Sequence, residues 1–388
     1  MKEPIFVIGY PGPVGGACTE LWSTLKLWRS MGLDVHLVPT WSIPEARWKE
    51  RCNSIGCTTH KANPNRDELS AIDGLAGGIV VSFCNGSFLQ EADQFRAIGC
   101  RCVWVNCMNW LHDAEKRHYA LFGPFAAYMF QSEFQRKTLA PQLAQWGVKA
   151  DRCHRISGAF DPDEFTYQPR PHSPGEPFVI GRVSRASPDK FSTNTWPILN
   201  RVDYPKKRYR VMGWEDLIGK TIGKPPDWAE CLKSQAEPVG AFLASLHAYC
   251  QINGTATENW PRTGLEAMAA GVPLVVEARG GWPEMIDHGR SGYLGHTDAE
   301  LAHWIAHLAY DETARLEMAA RAYHHLVAHL ADPQRIAAGW LRLFESLPPR
   351  PANVLFRRTR RKRRALNAAK NGEAAGRKPR NPKPAKAT

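Results

Sequence analysis

The sequence predicts an α/β protein of two doubly wound, parallel-sheet lobes, and three observations carry that prediction. Short apolar runs of strand type alternate with longer amphipathic stretches, the pattern of a parallel sheet covered by helices on both faces. The alternation restarts after a proline-rich break, Gln168 to Pro177. At 388 residues and 43% hydrophobic content, the chain also exceeds what one hydrophobic core usually holds. The expected organisation is an N-terminal lobe over 1–170, a second lobe over 171–332, a terminal helix within 333–349 and a basic tail over 350–388.

Each element has its local reason. Ile5 to Tyr10 reads as a buried strand, followed by a glycine-rich loop and a helix over Ala17 to Met31 that stops at Gly32. Val35–Val38, Gly78–Phe83, Val103–Asn106 and Ala126–Gln131 read as further strands. Ser132 and Gln135 then stand at capping-box spacing, which starts a helix. Phe178 to Val183 opens the second lobe. Val239 to Ile252 reads as a helix running into a strand, and Asn253 to Asn259 is a polar loop. Pro261 suits a first helical turn, Leu265 to Ala270 continues the helix, and Gly271 supplies a left-handed stop. Pro333 to Leu347 is the last helix. No repeat of solenoid period is present.

The formal net charge of +12 is not spread along the chain. From Arg350 to Thr388 there are fourteen lysines and arginines against one acid, Glu373, so the tail accounts for all of it and the rest is near neutral. Its composition predicts disorder and an electrostatic partner, an anionic membrane surface or nucleic acid. The sequence pI of about 9.3 is therefore no argument for nucleic-acid binding by the folded lobes. No apolar run reaches membrane-spanning length and no signal pattern opens the chain, which predicts a cytoplasmic protein, peripheral at most at the inner membrane face. The ten cysteines are irregularly spaced and read as reduced thiols. Cys52, Cys57 and His60, or Cys100, Cys102 and Cys107, lack the paired spacing of a zinc site, so no metal is expected.

The most telling motif is TENWPRTGLEAMAAGVP, in which Glu258 and Glu266 stand eight residues apart. Helical side chains lean toward their own N-terminus, so Glu266 points back at the loop carrying Glu258. Two carboxylates converging at a helix start suit a ligand rich in hydroxyls, because each accepts several hydrogen bonds.

The run from Glu258 to Pro273 resembles the glutamate-seven-residues-glutamate signature of retaining glycosyltransferases with the GT-B fold, of the large family 4 type. Ile180–Lys190 (IGRVSRASPDK), Gly280–Leu294 (GGWPEMIDHGRSGYL), Arg155–Phe165 (RISGAFDPDEF) and Gly9–Thr19 (GYPGPVGGACT) resemble other stretches of that family in order and spacing. The resemblance covers roughly residues 5 to 346. It implies two Rossmann-like lobes facing one cleft, with the last helix crossing back to the first lobe. It implies transfer of a hexosyl group from a UDP- or GDP-sugar to a hydroxyl on a glycan, lipid or other acceptor, without a cofactor or an obligatory metal.

By that resemblance Glu258 contacts the donor sugar or its phosphate region and Glu266 the ribose hydroxyls. Arg185 and Lys190 neutralise the leaving diphosphate, with Arg182 as the competing arginine. Asn259, Trp260, Gly281 and Glu284 complete the donor side, where helix starts offer backbone N–H groups to an anion. Glu284 reads equally well as a stabiliser of its own helix start. Gly12, Gly15 and Gly16 form the loop near the reacting phosphate and acceptor. The chain departs from the family twice. A histidine is usual after one strand of the first lobe, where this chain has VNCMNWLHDAE, leaving Asn109 and His112 as alternative replacements. Asn259 and Pro261 stand where glycines are common, and Trp260 is expected to narrow the donor pocket. Acceptor choice falls to loops of the first lobe such as Trp41 to Arg66.

Overall fold

The computed structural model describes residues 3–12, 15–39, 44–61 and 65–351. Nearly all of the predicted basic tail, and parts of the glycine-rich and Trp41–Arg66 loops, lie outside them.

Two parallel sheets form the molecule. The first holds β1 (Ile5–Ile8), β2 (Val35–Val38), β3 (Thr58–Thr59), β4 (Ile79–Phe83), β5 (Arg101–Asn106), β6 (Ala127–Phe130) and β7 (Cys153–Arg155), in the order β3-β2-β1-β4-β5-β6-β7. The second holds β8 (Phe178–Val183), β9 (Lys207–Met212), β10 (Ala229–Leu232), β11 (Ala248–Gln251), β12 (Leu274–Glu277) and β13 (Tyr293–Gly295), in the order β10-β9-β8-β11-β12-β13. Every strand pairing is parallel, and in each sheet the order reverses beside the first strand of the lobe. Such reversal points open a crevice at the carboxyl ends of the strands, where ligands of doubly wound sheets bind.

Strands covered on both faces must be apolar throughout, and β1, β4 and β6 are buried at every position. One face of the first sheet is closed by the helices Gly16–Ser30 and Pro333–Glu345. There Trp28 meets Trp340 edge-on at 4.9 Å, and Phe344 packs 5.6 Å from each of them. The chain's last helix thus returns to the lobe that contains the first strand. On the opposite face Phe88, Trp104 and Phe125 stack within 6.0 Å of one another.

The helix starts show which local signals held. Ser132 Oγ accepts from the Gln135 backbone N–H at 3.1 Å, as the capping spacing predicts. The reciprocal bond shifts by one residue, since Gln135 Oε1 accepts from Gln131 N–H at 2.8 Å. Pro261 is the cap before the helix Arg262–Ala270 and not its first residue, so that helix begins three residues ahead of the expected Leu265. Gly271 ends it in the left-handed region, at φ 80°. Among the described residues no helix is long and apolar enough to cross a membrane.

Candidate functional site

The crevice of the second lobe is built on β8 and β11. After β8 the chain turns through a short 3₁₀ segment, Pro188–Lys190, which sends the Lys190 side chain toward the loop after β11. Lys190 Nζ lies 2.8 Å from Glu258 Oε1. The same oxygen accepts from Gln251 Nε2 at 2.6 Å and from Asn253 Nδ2 at 3.2 Å. Three donors on one oxygen fix the carboxylate's position. The two loops are held together along their backbones: Ala256 N–H donates to Asp189 O at 2.9 Å. A Cβ on Gly254 would stand 2.6 Å from Phe191 O, so only glycine permits that approach.

Glu266 sits one turn into the helix Arg262–Ala270, half-buried. Burial pushes its carboxyl above the usual range, with Arg262 opposing. Burial is also the main reason the Tyr249 hydroxyl is raised, and Glu258 and Glu266 both push it further. The Tyr249 hydroxyl donates to Gln251 Oε1 at 2.6 Å, and the Gln251 amide in turn donates to Glu258. Glu258 thus joins a polar network at the end of β11.

The basic residues divide. Arg185 is 63% exposed, with Asp189 as a distant partner at 3.7 Å. Arg182 turns the other way. It is wholly buried, donates to Ile252 O at 2.9 Å and Asn253 Oδ1 at 3.2 Å, and lies 4.4 Å over the Phe191 ring. This corrects its assignment to the donor side: the strand end from which it projects faces the core, and its guanidinium ties β8 to the loop after β11. Arg182→Met is therefore expected to cost about 2–4 kcal/mol in urea unfolding, because a carbonyl and an amide oxygen lose their donor. Arg185→Ala, at an exposed side chain, should leave the unfolding midpoint in place. A stability loss at Arg185 and none at Arg182 would reverse the two roles.

The first lobe meets this crevice at several points. Asn109 Nδ2 donates to Thr257 O at 2.8 Å, one residue before Glu258, while its Oδ1 is buried without a partner. His112 does not join it. That imidazole places Nε2 3.9 Å from Cys84 Sγ. Asn259 is buried between the lobes, accepting from Ser132 Oγ at 2.6 Å and donating to Gln131 Oε1. Glu284 corrects both of its expected roles. Its carboxylate accepts the Glu133 and Phe134 backbone N–H groups at 2.7 and 2.6 Å, so it caps the helix Glu133–Ala144 of the opposite lobe. The Gly281 N–H is likewise spent, on Glu258 O at 2.8 Å.

Trp260 is 4% exposed and packs into the second lobe's core, its indole close to Gly158. It does not line an open pocket, because the Pro261 cap directs it inward. Of the glycine-rich loop, Gly15 adopts φ 99°, and Gly16 opens the first helix beside the Arg262 side chain. Gly12 adjoins Cys18.

Sequence reasoning missed Gln251, Asn253, Gln131 and the pair Glu20 and Arg262. For Gln251 and Asn253 the signal was polar residues ending an otherwise apolar strand. For Glu20 it was an acid on the buried face of the first helix. Glu20 is fully buried and accepts from Gln131 Nε2 with one oxygen while the other has no partner. Arg262 donates across the lobes to Ala159 O at 2.7 Å and Ser23 Oγ at 3.2 Å. Burial pushes the Glu20 carboxyl up to about 7, with Arg262 opposing. Because the folded value exceeds the ordinary one, the stability it contributes is complete at low pH and is lost as pH rises through about 7. Glu20→Gln keeps an acceptor for Gln131 and cannot ionise. The variant is expected to match the parent near pH 4 and exceed it by about 1–3 kcal/mol near pH 8, read from urea midpoints at each pH. Parallel pH profiles would refute the assignment.

Comparison with known proteins places this geometry. Residues 231–325, which include Glu258, Glu266 and Glu284, match the family described as glycosyl transferases group 1. Over 94 residues the chain is 35% identical to the D-inositol 3-phosphate glycosyltransferase of Corynebacterium jeikeium, a stretch covering 24% of this chain and 22% of that protein. A Corynebacterium kroppenstedtii protein of the same name is 27% identical over 135 residues, covering 31% of this chain and 30% of its own. The chain thus spans less than a third of the length of these curated relatives. Among solved structures, the Anabaena protein HepE in complex with UDP-glucose superposes with a TM-score of 0.67 at 17% identity, covering 89% of this chain and all of that one. Sucrose-phosphate synthase of Thermosynechococcus elongatus gives 0.65 at 13% identity, covering 89% and 98%. The fold is GT-B.

Proposed function

We propose that this protein is a retaining glycosyltransferase that moves a hexosyl group from a nucleoside diphosphate sugar to an acceptor hydroxyl. The observation that carries the reading is the Lys190–Glu258 pair at the crevice of the second lobe, with Asn109 of the first lobe one residue away. The donor's diphosphate competes with Glu258 for the Lys190 ammonium, which frees the Glu258 carboxylate to accept from sugar hydroxyls. Arg185 adds a second, mobile cation to the developing charge. Glu266 receives the ribose hydroxyls. Asn109 Oδ1, buried without a partner, accepts from a sugar hydroxyl that enters beside Glu258.

On this reading the bond from the anomeric carbon to the diphosphate breaks as the acceptor oxygen attaches from the same face. The departing phosphate oxygen takes the acceptor's proton, so no protein base is required. The cations and helix starts supply the charge stabilisation, and the contacts between the lobes exclude water from the reacting centre. HepE and sucrose-phosphate synthase share the fold, and HepE was solved with UDP-glucose, which supports a nucleotide-sugar donor.

A second reading is favoured by one observation, the amide of Asn109 where a histidine is usual: a GT-B scaffold that binds the donor without turning it over. A thermal-shift screen across UDP-, GDP- and ADP-sugars separates the first question, since a ligand at 100 times its Kd stabilises by about 2.7 kcal/mol. Glu266→Ala should abolish the shift for the preferred donor. An undiminished shift would remove Glu266 from the site. Donor binding without hydrolysis or transfer to any acceptor would favour the binding protein. The basic tail is assigned here to recruitment on an anionic surface, lipid or nucleic acid.

A further inference from the structure

Three cysteines meet at the carboxyl ends of the first sheet and take no part in the chemistry above. Cys18 lies on the first helix, Cys84 follows β4 directly, and Cys107 follows β5 directly. All ten cysteines are free thiols, and Cys84, Cys107 and Cys18 are half-buried.

Cys84 differs from the rest in three independent ways. It is one of two non-glycine residues among those described with positive φ, at 48°, a conformation that costs roughly 1 kcal/mol and that surrounding structure must enforce. Its backbone N–H donates to Val105 O at 3.1 Å, which holds the turn against β5. The strained turn also delivers the sulfur to two specific neighbours. His112 Nε2 stands 3.9 Å away, on the residue that caps the helix Asp113–Phe122. Cys107 stands at the adjacent strand end, two residues past the Val105 that pairs with Phe83, the residue before Cys84.

The surrounding charges suit a thiolate at Cys84. The Cys107 hydrogen bond comes first, and the His112 imidazole adds to it, holding Cys84 well below the usual thiol range, while the other nine cysteines are all pushed up. His112 is correspondingly raised, chiefly by its bond to Cys84. The remaining titratable groups facing this cluster are Glu115, which receives the His112 backbone N–H at 2.8 Å, Asp113 beside His112, and Glu20 and Cys18 beyond Cys107. A nucleophilic cysteine beside an imidazole with a second thiol at the adjacent strand end is the arrangement of a peroxide-reactive pair.

We propose that Cys84 and Cys107 form a dithiol that hydroperoxides oxidise, with Cys84 attacking and Cys107 resolving. The Cys84 sulfur attacks one peroxide oxygen; the S–O bond forms as the O–O bond breaks, and the other oxygen leaves as hydroxide and takes a proton from His112. The Cys107 sulfur then displaces the hydroxyl on Cys84. The S–S bond forms, the S–O bond breaks, and the second hydroxide leaves with the Cys107 proton. Two thiols are oxidised and one hydrogen peroxide is reduced to two waters. The bridge locks the ends of β4 and β5 beside the segment carrying Asn109 and His112. On the proposed function this stops transfer while leaving donor binding by the second lobe intact. Only that last consequence rests on the functional reading.

The test uses the full chain. At about pH 6, where an ordinary thiol with a pKa near 8.5 is almost fully protonated, iodoacetamide should label Cys84 at least about tenfold faster than any other cysteine. Hydrogen peroxide followed by alkylation and peptide mapping should yield one cross-linked product joining the Cys84 and Cys107 peptides, reversed by dithiothreitol. In Cys107→Ser the same treatment should leave Cys84 as a sulfenic acid that dimedone traps. Labelling of Cys84 at the rate of the other thiols, or oxidation without the Cys84–Cys107 link, overturns the proposal. These thiol measurements stand even if no sugar is transferred. If transfer is measurable, a bridged protein with undiminished turnover overturns the inhibitory role.

Discussion

Glu258→Ala is expected to lower kcat/KM for sugar transfer by about 10²–10³-fold, the scale of losing one preorganised charged group at a reacting centre. The carboxylate occupies a node: Lys190, Gln251 and Asn253 all donate to its Oε1. Its loss leaves a largely buried ammonium with no anion and the Asn253 amide without its acceptor, while Gln251 keeps only its bond to Asn253 Oδ1. The ammonium then pairs more tightly with the donor diphosphate, whereas the sugar loses the group that fixes it. The expected split is therefore characteristic. KM for the donor should stay level or fall, while kcat carries the loss. Steady-state kinetics over a range of donor concentrations read both parameters directly. A rise in KM with kcat unchanged would mean that Glu258 serves only to bind, and that the proposed role at the reacting centre is wrong.

Much of the fold was legible because strands buried on both faces must be continuous apolar runs, and Ile5–Ile8, Ile79–Phe83 and Phe178–Val183 are such runs. Edge strands were not legible. Thr58–Thr59 and Cys153–Arg155 are short and partly exposed, so no apolar pattern marks them. The motif around Glu258 and Glu266 did mark a loop leading into a helix, Arg262–Ala270. What spacing does not fix is which way a side chain leaves the end of a strand. Arg182 and Arg185 are three residues apart with the same charge, yet one is sealed into the core and the other is mostly in solvent. Glu284 was illegible for another reason. Its partners are backbone N–H groups from residues 151 and 150 positions earlier, and a sequence carries no sign of a helix end capped from another lobe. The same applies to Asn259, whose partners Gln131 and Ser132 are also across the crevice.

Gly281→Ala should be one of the most disruptive single methyl groups in the second lobe. An added Cβ would lie 1.7 Å from Asn259 O and 2.7 Å from its carbonyl carbon, distances no contact tolerates. The φ of Gly281 is −83°, so the obstacle is space and not backbone conformation. Relief cannot come from rotating a side chain, because the obstructing atoms are main chain. Either the Glu258–Asn259 segment or the start of the helix Trp282–Met285 must move. The first movement breaks the Gly281 N–H bond to Glu258 O and pulls Asn259 from Gln131 and Ser132. The second withdraws Glu284 from the opposite helix. Each route loses several buried hydrogen bonds, so a destabilisation of about 3–5 kcal/mol is expected, with donor affinity reduced at least about tenfold. The matched control is Gly240→Ala. That glycine lies in the helix Val239–Ala244 with nothing within 4 Å of the added carbon, and alanine there should stabilise by about 0.5–1 kcal/mol. Urea unfolding and a donor titration of both variants decide the matter. If Gly281→Ala unfolds at the parent midpoint and binds donor normally, the close apposition of the Gly280–Gly281 turn and the Glu258 loop is not a feature of the protein in solution.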